Sequence, residues 1–219
     1  MRRAIFCRRP KPPKLSHIEA ASIPIGALTA WQGLFDHADL QCGERVLVHG
    51  GAGAVGVFAI QLAKLQRAHV VATATPGNLD FVSSPGADEV IGYNDERFER
   101  STRKVDVVFH TVGGETLDRS WGILKPRGRL VTIVSTAANS TDERVKKAFF
   151  IVEPNQKQLS KLAELVEAGS IRPVVDVVVP LSQAPDAYAG HVERRGQGKV
   201  VVAVGRDVNW LSALAQEHR

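Results

Sequence analysis

Two cysteines, Cys7 and Cys42, are all that this chain of 219 residues contains. That number excludes a disulfide framework. Neither cysteine sits in a C-x-x-C spacing, so a structural zinc lobe built on four clustered cysteines is excluded too. A reducing, cytoplasmic setting is the expectation. No apolar run approaches the roughly 20 residues that span a bilayer. Met1 to Arg9 carry charge but no apolar stretch and no small-residue cleavage site, so no signal peptide is expected. Internal repeats and low-complexity segments are absent. The seven histidines (His17, His37, His49, His69, His110, His191 and His218) show no H-x-x-x-H spacing, and each reads as a surface or packing residue. His49 and His110, at strand ends, are the two that fall near a cleft. No metal site is expected.

Acidic residues are missing from the N-terminal stretch. Arg2, Arg3, Arg8, Arg9, Lys11 and Lys14 precede the first acid, Glu19, and without them the net charge of +5 becomes slightly negative. A nucleic-acid-binding body would be basic on the folded domain itself. Residues 1–16 therefore read as a solvated, irregular basic leader rather than a nucleic-acid or membrane patch. An Arg-rich, acid-poor leader also fits a mitochondrial presequence. Pro10, Pro12 and Pro13 oppose the amphipathic helix that such a sequence needs.

What is present is a well-cored composition, 44% hydrophobic and 23% charged, long enough for one large domain or for one domain plus a fragment of another. Residues 17–36 are apolar at helical spacing, and Pro24 suits a helix start. From residue 45 the pattern alternates. Strands are expected at Arg45–His49, His69–Ala74, Glu89–Ile91, Val105–His110 and Arg129–Val134. Helices are expected at Ala54–Leu65 and Asn78–Ser84. Short, valine-rich strands alternating with helices imply right-handed βαβ units and a parallel sheet, an α/β fold. Asn155–Ala168 is an amphipathic helix ended by Gly169. A strand at 174–179, a helix at 183–192 and a strand at 199–204 follow, and 205–219 reads as a tail. The exposed valines of 174–179 and 200–202 are expected to fold back on the body or to drive self-association.

The strongest signal is VLVHGGAGAVGVFAIQLAK, residues 46–64. Gly51, Gly53 and Gly56 form G-x-G-x-x-G between a buried strand and a helix, within a βαβ unit of about thirty residues. Gly51 is read as permitting the tight turn. Gly53 lets the backbone approach a pyrophosphate, and Gly56 lets the helix pack close to the sheet. The helix start near Ala54 and Val55, with Ala52 in the loop, faces the phosphates with N–H groups and dipole. This is a Rossmann doubly wound dinucleotide-binding domain. An acid that binds the ribose 2′-OH usually follows about 20 residues on. Thr73-Ala74-Thr75 stands there instead, and the nearest downstream acid is Asp80. A 2′-phosphate meets no repulsion, and the Thr73 and Thr75 hydroxyls are expected to donate to it. NADP(H) is favoured over NAD(H).

From Leu15 to about Val204 the chain resembles zinc-independent quinone oxidoreductases of the medium-chain dehydrogenase/reductase superfamily. The likeness is carried by 15–35, GERVLVHGGAGAVGVFAIQLAK (43–64), LDFVSSPGADEVIGY (79–93), VDVVFHTVGGETLDRSW (105–121), LKPRGRLVTI (124–133), FFIVEP (149–154) and GKVVVAV (198–204). The resemblance implies that Thr75 and Asn78 surround the 2′-phosphate and that Tyr93 lies near the adenosine. Val112 and Gly113 would line the cleft after the fourth strand, and Ile133 to Ser135 after the fifth. Phe149 to Val152, Phe150 and Ile151 among them, would border the nicotinamide amide. Asn78 stands where the family often has a phosphate-binding lysine, and His110 where an aspartate is common. The resemblance further implies a Rossmann domain over 17–170 and a partial catalytic-domain segment over 171–204. Most of the family's N-terminal chaperonin-10-like catalytic domain would be missing. Homodimerisation through a Rossmann edge strand is implied as well. Two functions stay open. One is NADPH-dependent hydride transfer to a quinone or enone, and the other is a non-catalytic NADP(H)-binding module or truncated remnant. No catalytic residue is assigned.

Overall fold

The computed structural model describes residues 11–93 and 97–204. Most of the basic leader, Cys7 and the 205–219 tail lie outside the described residues.

Five short strands build the main sheet: β1 (Arg45–Val48), β2 (His69–Ala74), β3 (Glu89–Gly92), β4 (Val105–His110) and β5 (Leu124–Thr132). All pair in parallel, in the order β3-β2-β1-β4-β5. The central strands are buried along almost their whole length, so both faces need apolar side chains. That is why RVLV and VDVVFH read as near-continuous apolar runs. β5 starts five residues earlier than the sequence suggests. Its pairing with β4 jumps from Val105↔Leu124 to Val107↔Arg129, and Arg127 in the looped-out stretch takes φ 64°. The turn chemistry of KPRG masked the strand's beginning.

The helical start at 17–36 is broken into α1 (His17–Ser22) and α2 (Pro24–Trp31), followed by a wider π turn over Gln32–His37. Ser16 and Glu19 form a reciprocal capping box on α1, and Pro24 opens α2. The crossover helices are α3 (Gly56–Leu65), α4 (Leu79–Ser83), α5 (Phe98–Ser101) and α6 (Thr116–Ser120). Helix α3 is buried almost all round because α2 covers the face that the sheet does not. The contact is backbone-close: a Cβ at Gly26 would lie 2.4 Å from the Ala54 carbonyl oxygen. Helices α7 (Glu143–Ala148) and α8 (Gln156–Glu167) follow β5. Asn155 caps α8 and Gly169, at φ 71°, ends it.

The C-terminal part is a small unit of its own. Strand β6 (Val175–Pro180), helix α9 (Ala184–Ala189) and strand β7 (Lys199–Ala203) form a second βαβ turn whose two strands pair in parallel. The valine runs therefore satisfy one another, with Val179 and Val201 buried. The unit folds back onto the body through α1 and through a bridge between Gly198 and Gly53.

Candidate functional site

Strand order reverses about β1: β2 and β3 lie to one side, β4 and β5 to the other. The crevice beyond the carboxyl ends of β1 and β4 is the place where such sheets bind ligands. The glycine loop fills that position. Gly50 makes the sharp turn, with φ 75°. Gly51, given that role from sequence, instead sits under the loop: a Cβ there would meet Val82 at 2.9 Å and Ala72 at 3.0 Å. Gly56 is fixed by backbone, because its Cβ would fall 2.1 Å from the Gly50 carbonyl oxygen. Gly53 differs from both. The nearest atom to a Cβ there is the Gly50 oxygen at 3.4 Å, an ordinary contact. The chain's own packing does not require glycine at 53, so the close approach it permits is available to a ligand. Helix α3 begins at Gly56 and turns its positive dipole end to the loop, its first turn tied back by Val57 N–H to the Gly53 carbonyl (3.0 Å) and Ala59 N–H to the Val55 carbonyl (2.9 Å).

The loop borders a cleft of about 400 Å³. One wall is Gly50, Ala52 and Gly53 with Thr111 and Val112 beyond them. The other is Ala74, Thr75, Asn78 and Tyr93, closed by Arg194, Arg195 and Gly196. None of these lining residues is acidic. Asn78 is fully engaged: its Nδ2 donates to Thr75 Oγ1 (3.1 Å) and to the Arg195 carbonyl (3.2 Å), and its Oδ1 accepts from Gln197 Nε2 (2.9 Å). It acts as a strut joining the turn after β2 to the loop before β7, not as a free donor in the place of a lysine.

Of the residues singled out from sequence, Ala52, Gly53, Thr75, Asn78, Tyr93 and Val112 share this one cleft. Ala54, Val55 and Gly56 form the start of α3 behind it. Thr73 must be corrected. It is fully buried, and its hydroxyl is occupied by Gly50 N (3.2 Å) and His49 Nδ1 (3.2 Å), so it cannot reach a nucleotide phosphate. Gly113, at φ 79°, lies against Val134 after β4; Ile133 and the exposed Ser135 follow β5. The stretch at 149–152 runs beside β5, bridged at Thr132↔Phe149 and by Phe150 N to the Thr132 carbonyl. The Phe150 ring turns inward and stacks on His37, Val152 is half-buried, and Ile151 is 72% exposed. Gly50, Thr111 and the Arg194–Gly196 turn were missed. The signal for that turn is a basic pair followed by Gly196 and Gly198 ahead of the valine strand, which gains meaning only when the C-terminal unit docks.

Beneath the loop runs a buried polar chain. Ser120 Oγ donates to the Thr116 carbonyl (2.6 Å), which leaves it an acceptor for His49 Nε2–H (3.0 Å). His49 Nδ1 then accepts from the Thr73 hydroxyl, whose oxygen accepts Gly50 N–H. This sequence of donors fixes one neutral tautomer and pins the root of the glycine loop. Burial, helped by the neighbouring His110, pushes the His49 imidazole down to about 3. Burial alone lowers His110 to about 4. His110 Nδ1 pairs with Thr132 Oγ1 (3.1 Å), and its Nε2 has no partner among the described residues. Both rings are fully buried and neutral at neutral pH, so neither lines the cleft. Among the described residues no three His, Cys, Asp or Glu side chains gather so as to hold a metal ion, and no helix is long and apolar enough to cross a membrane.

The zinc-binding dehydrogenase family model matches residues 85–202. A probable mitochondrial zinc-binding oxidoreductase of Arthroderma benhamiae is 38% identical over 89% of this chain and 64% of its own length. A mitochondrial NAD(P)H oxidoreductase of Danio rerio is 31% identical over 90% and 59%. The solved quinone oxidoreductase of Coxiella burnetii superposes with a TM-score of 0.80 at 34% identity, covering 89% of this chain and 63% of that one. The chain thus spans about three-fifths of the length of these relatives. More than half of its residues fall within the family model, and the parallel α/β fold matches that of the solved relative. The chain therefore belongs to the zinc-binding dehydrogenase family, among the quinone-oxidoreductase-like members of the medium-chain dehydrogenase/reductase superfamily.

Proposed function

We propose that the cleft binds NADP(H), in preference to NAD(H), for hydride transfer to a quinone or enone. The observation that carries this reading is the far wall: Arg194 and Arg195 stand beside Thr75 and Asn78, and among the described residues no acid lines the cleft. A 2′-phosphate at that corner gains two arginine neighbours, Arg195 being also paired with Asp176, whereas a bare ribose gains little from them. Ala52 and Gly53, with the start of α3, suit the pyrophosphate, and Tyr93 suits the adenosine end. The bound cofactor supplies the hydride itself. The chain's residues orient it and exclude water from the loop side. Val112 and the Phe150–Val152 stretch are assigned to the nicotinamide end, with Gly113, Ile133 and Ser135 lining the passage between. Zinc has no part in this chemistry. A cytoplasmic location and a homodimer complete the reading, the first supported by the sparse cysteines and the second by the family likeness.

Titration with NADPH and NADH tests the cofactor assignment. NADPH is expected to bind at least about tenfold more tightly, and Arg194→Ala with Arg195→Ala to erase that difference. Equal affinities in the unaltered protein would remove the assignment. A second reading, NADP(H) binding without turnover, is favoured by the openness of the hydride end, where Val112 is 46% and Ile151 72% exposed. NADPH oxidation with a panel of quinones and enones separates the two. Turnover selects the oxidoreductase; tight binding with no oxidation selects the binding module.

A further inference from the structure

Asp176 lies in β6, far from the cleft in sequence and outside its lining, yet its side chain is only 2% exposed. The pairing of β6 with β7 steps from Val175↔Lys199 to Val177↔Val200, so Asp176 is the extra residue of a bulge. Bulges re-aim a side chain and commonly stand beside functional sites. Here the carboxylate is turned onto the loop that precedes β7. It accepts main-chain N–H groups from Arg195 (3.2 Å, Oδ1), Gly196 (2.8 Å, Oδ2) and Gln197 (3.2 Å, Oδ2). The Arg195 side chain adds an Nε contact at 3.5 Å and donates through its Nη2 to the Asp176 carbonyl at 3.3 Å. A buried carboxylate with three amide donors is a strong, directional anchor.

The anchored loop reaches both walls. Gly198 N donates to the Ala52 carbonyl in the glycine loop (2.8 Å). The Arg195 carbonyl and the Gln197 side chain hold Asn78. Gly196 takes φ 77° and Gly198 φ 80°, and a Cβ on Gly198 would lie 2.3 Å from the Val174 carbonyl oxygen, so the loop has one path. We infer that Asp176 is a positioning residue that sets nucleotide selectivity: by fixing the Arg194–Gln197 loop, and the Arg195 side chain with it, it keeps the two arginines at the 2′-phosphate corner of the cleft. This rests on the NADP(H) reading above.

The test is a double-mutant cycle on the full chain, with NADPH and NADH Kd values as readouts. Asp176→Ala is expected to weaken NADPH binding about tenfold and NADH binding by less than about threefold. In the Arg194→Ala, Arg195→Ala background the same change should have no further effect on NADPH. Asp176→Asn, which keeps one acceptor oxygen and the side-chain volume, should recover part of the preference. Equal losses for both nucleotides, or additive losses in the cycle, would overturn the inference while leaving the cofactor reading intact. Failure of the unaltered protein to bind either nucleotide would overturn the cofactor reading itself. If Asp176→Ala does not fold, amide exchange on the unaltered protein decides. Gly196 and Gln197 should gain protection with NADPH and not with NADH, and equal protection by both would sink the inference.

Discussion

The two walls of the cleft are built in different ways. The near wall, residues 46–64, is one contiguous strand–loop–helix unit whose geometry is enforced by its own backbone. Gly50 must turn with φ 75°, and Gly56 must lack a side chain because Gly50 O stands 2.1 Å from where a Cβ would lie. The far wall is assembled from the turn after β2 and the loop before β7, more than a hundred residues apart, joined by Asn78. A phosphate cradle common to all dinucleotides can be local. In the proposed reading, discrimination at the 2′ position falls on a part that can change independently.

The largest expected effect comes from breaking the near wall. Gly56→Ala puts a methyl group onto main chain, where no rotamer change relieves the overlap. A loss of at least about 3 kcal/mol in stability is expected, with loss of all nucleotide binding. Urea denaturation checks it, and a variant as stable as the parent would show that the loop tolerates another path. The same change at Gly196, on the far wall, should be milder in its clash, since the nearest atom is Asn78 Nδ2 at 3.5 Å; its penalty comes from φ 77°.

This difference also explains what could be read in advance. Strands β1, β2 and β4 and helix α3 follow from period and length, because burial on both sheet faces leaves no polar alternation to confuse them. The glycine loop follows because its constraints act between residues a few positions apart. Thr73 was misread for a reason of direction. Position 73 lies inside β2 with its hydroxyl engaged by His49 and Gly50, whereas Thr75 lies past the strand end, where the chain leaves the sheet and lines the cleft. Arg194 and Arg195 carry a local mark without a local meaning, since their role depends on the bulge at Asp176 and the docking of Gly198 on Ala52. The β5 start was hidden by Pro126 and Gly128, residues that signal turns whether or not a strand resumes.

An effect of intermediate size tests the foundations of the near wall. His49 and His110 are neutral when folded, with values of about 3 and about 4, and take up protons near 6.5 when unfolded. Below pH 6.5 the unfolded chain therefore binds more protons than the native one, and stability falls with falling pH. The stabilisation is complete above pH 6.5 and is lost as pH drops toward 4 and then 3, at about 1.4 kcal/mol per pH unit for each histidine. The surface carboxylates held low by Arg129, Arg45 and Arg119 act only in the acid range below their own unfolded values, so pH 6.5 to 5 isolates the histidines. Urea midpoints across that interval check the slope. A flat profile would mean that the rings are accessible to protons in the native state and that the chain through Thr73 to Gly50 does not hold.

The smallest effect on stability carries the sharpest information. Gly53→Ala adds a methyl group whose nearest neighbour, Gly50 O at 3.4 Å, is at ordinary contact distance, and the position does not need positive φ. Stability should change by less than about 1 kcal/mol, and replacing glycine at a tolerant site can even raise it. Binding should behave otherwise, because the methyl group stands where the main chain faces the cleft. NADPH and NADH should both weaken, and by the same factor, since the pyrophosphate is common to them. Melting temperature and the two Kd values, measured on one preparation, give the answer. Loss confined to NADPH would place the 2′-phosphate against the glycine loop and reverse the division of labour between the two walls.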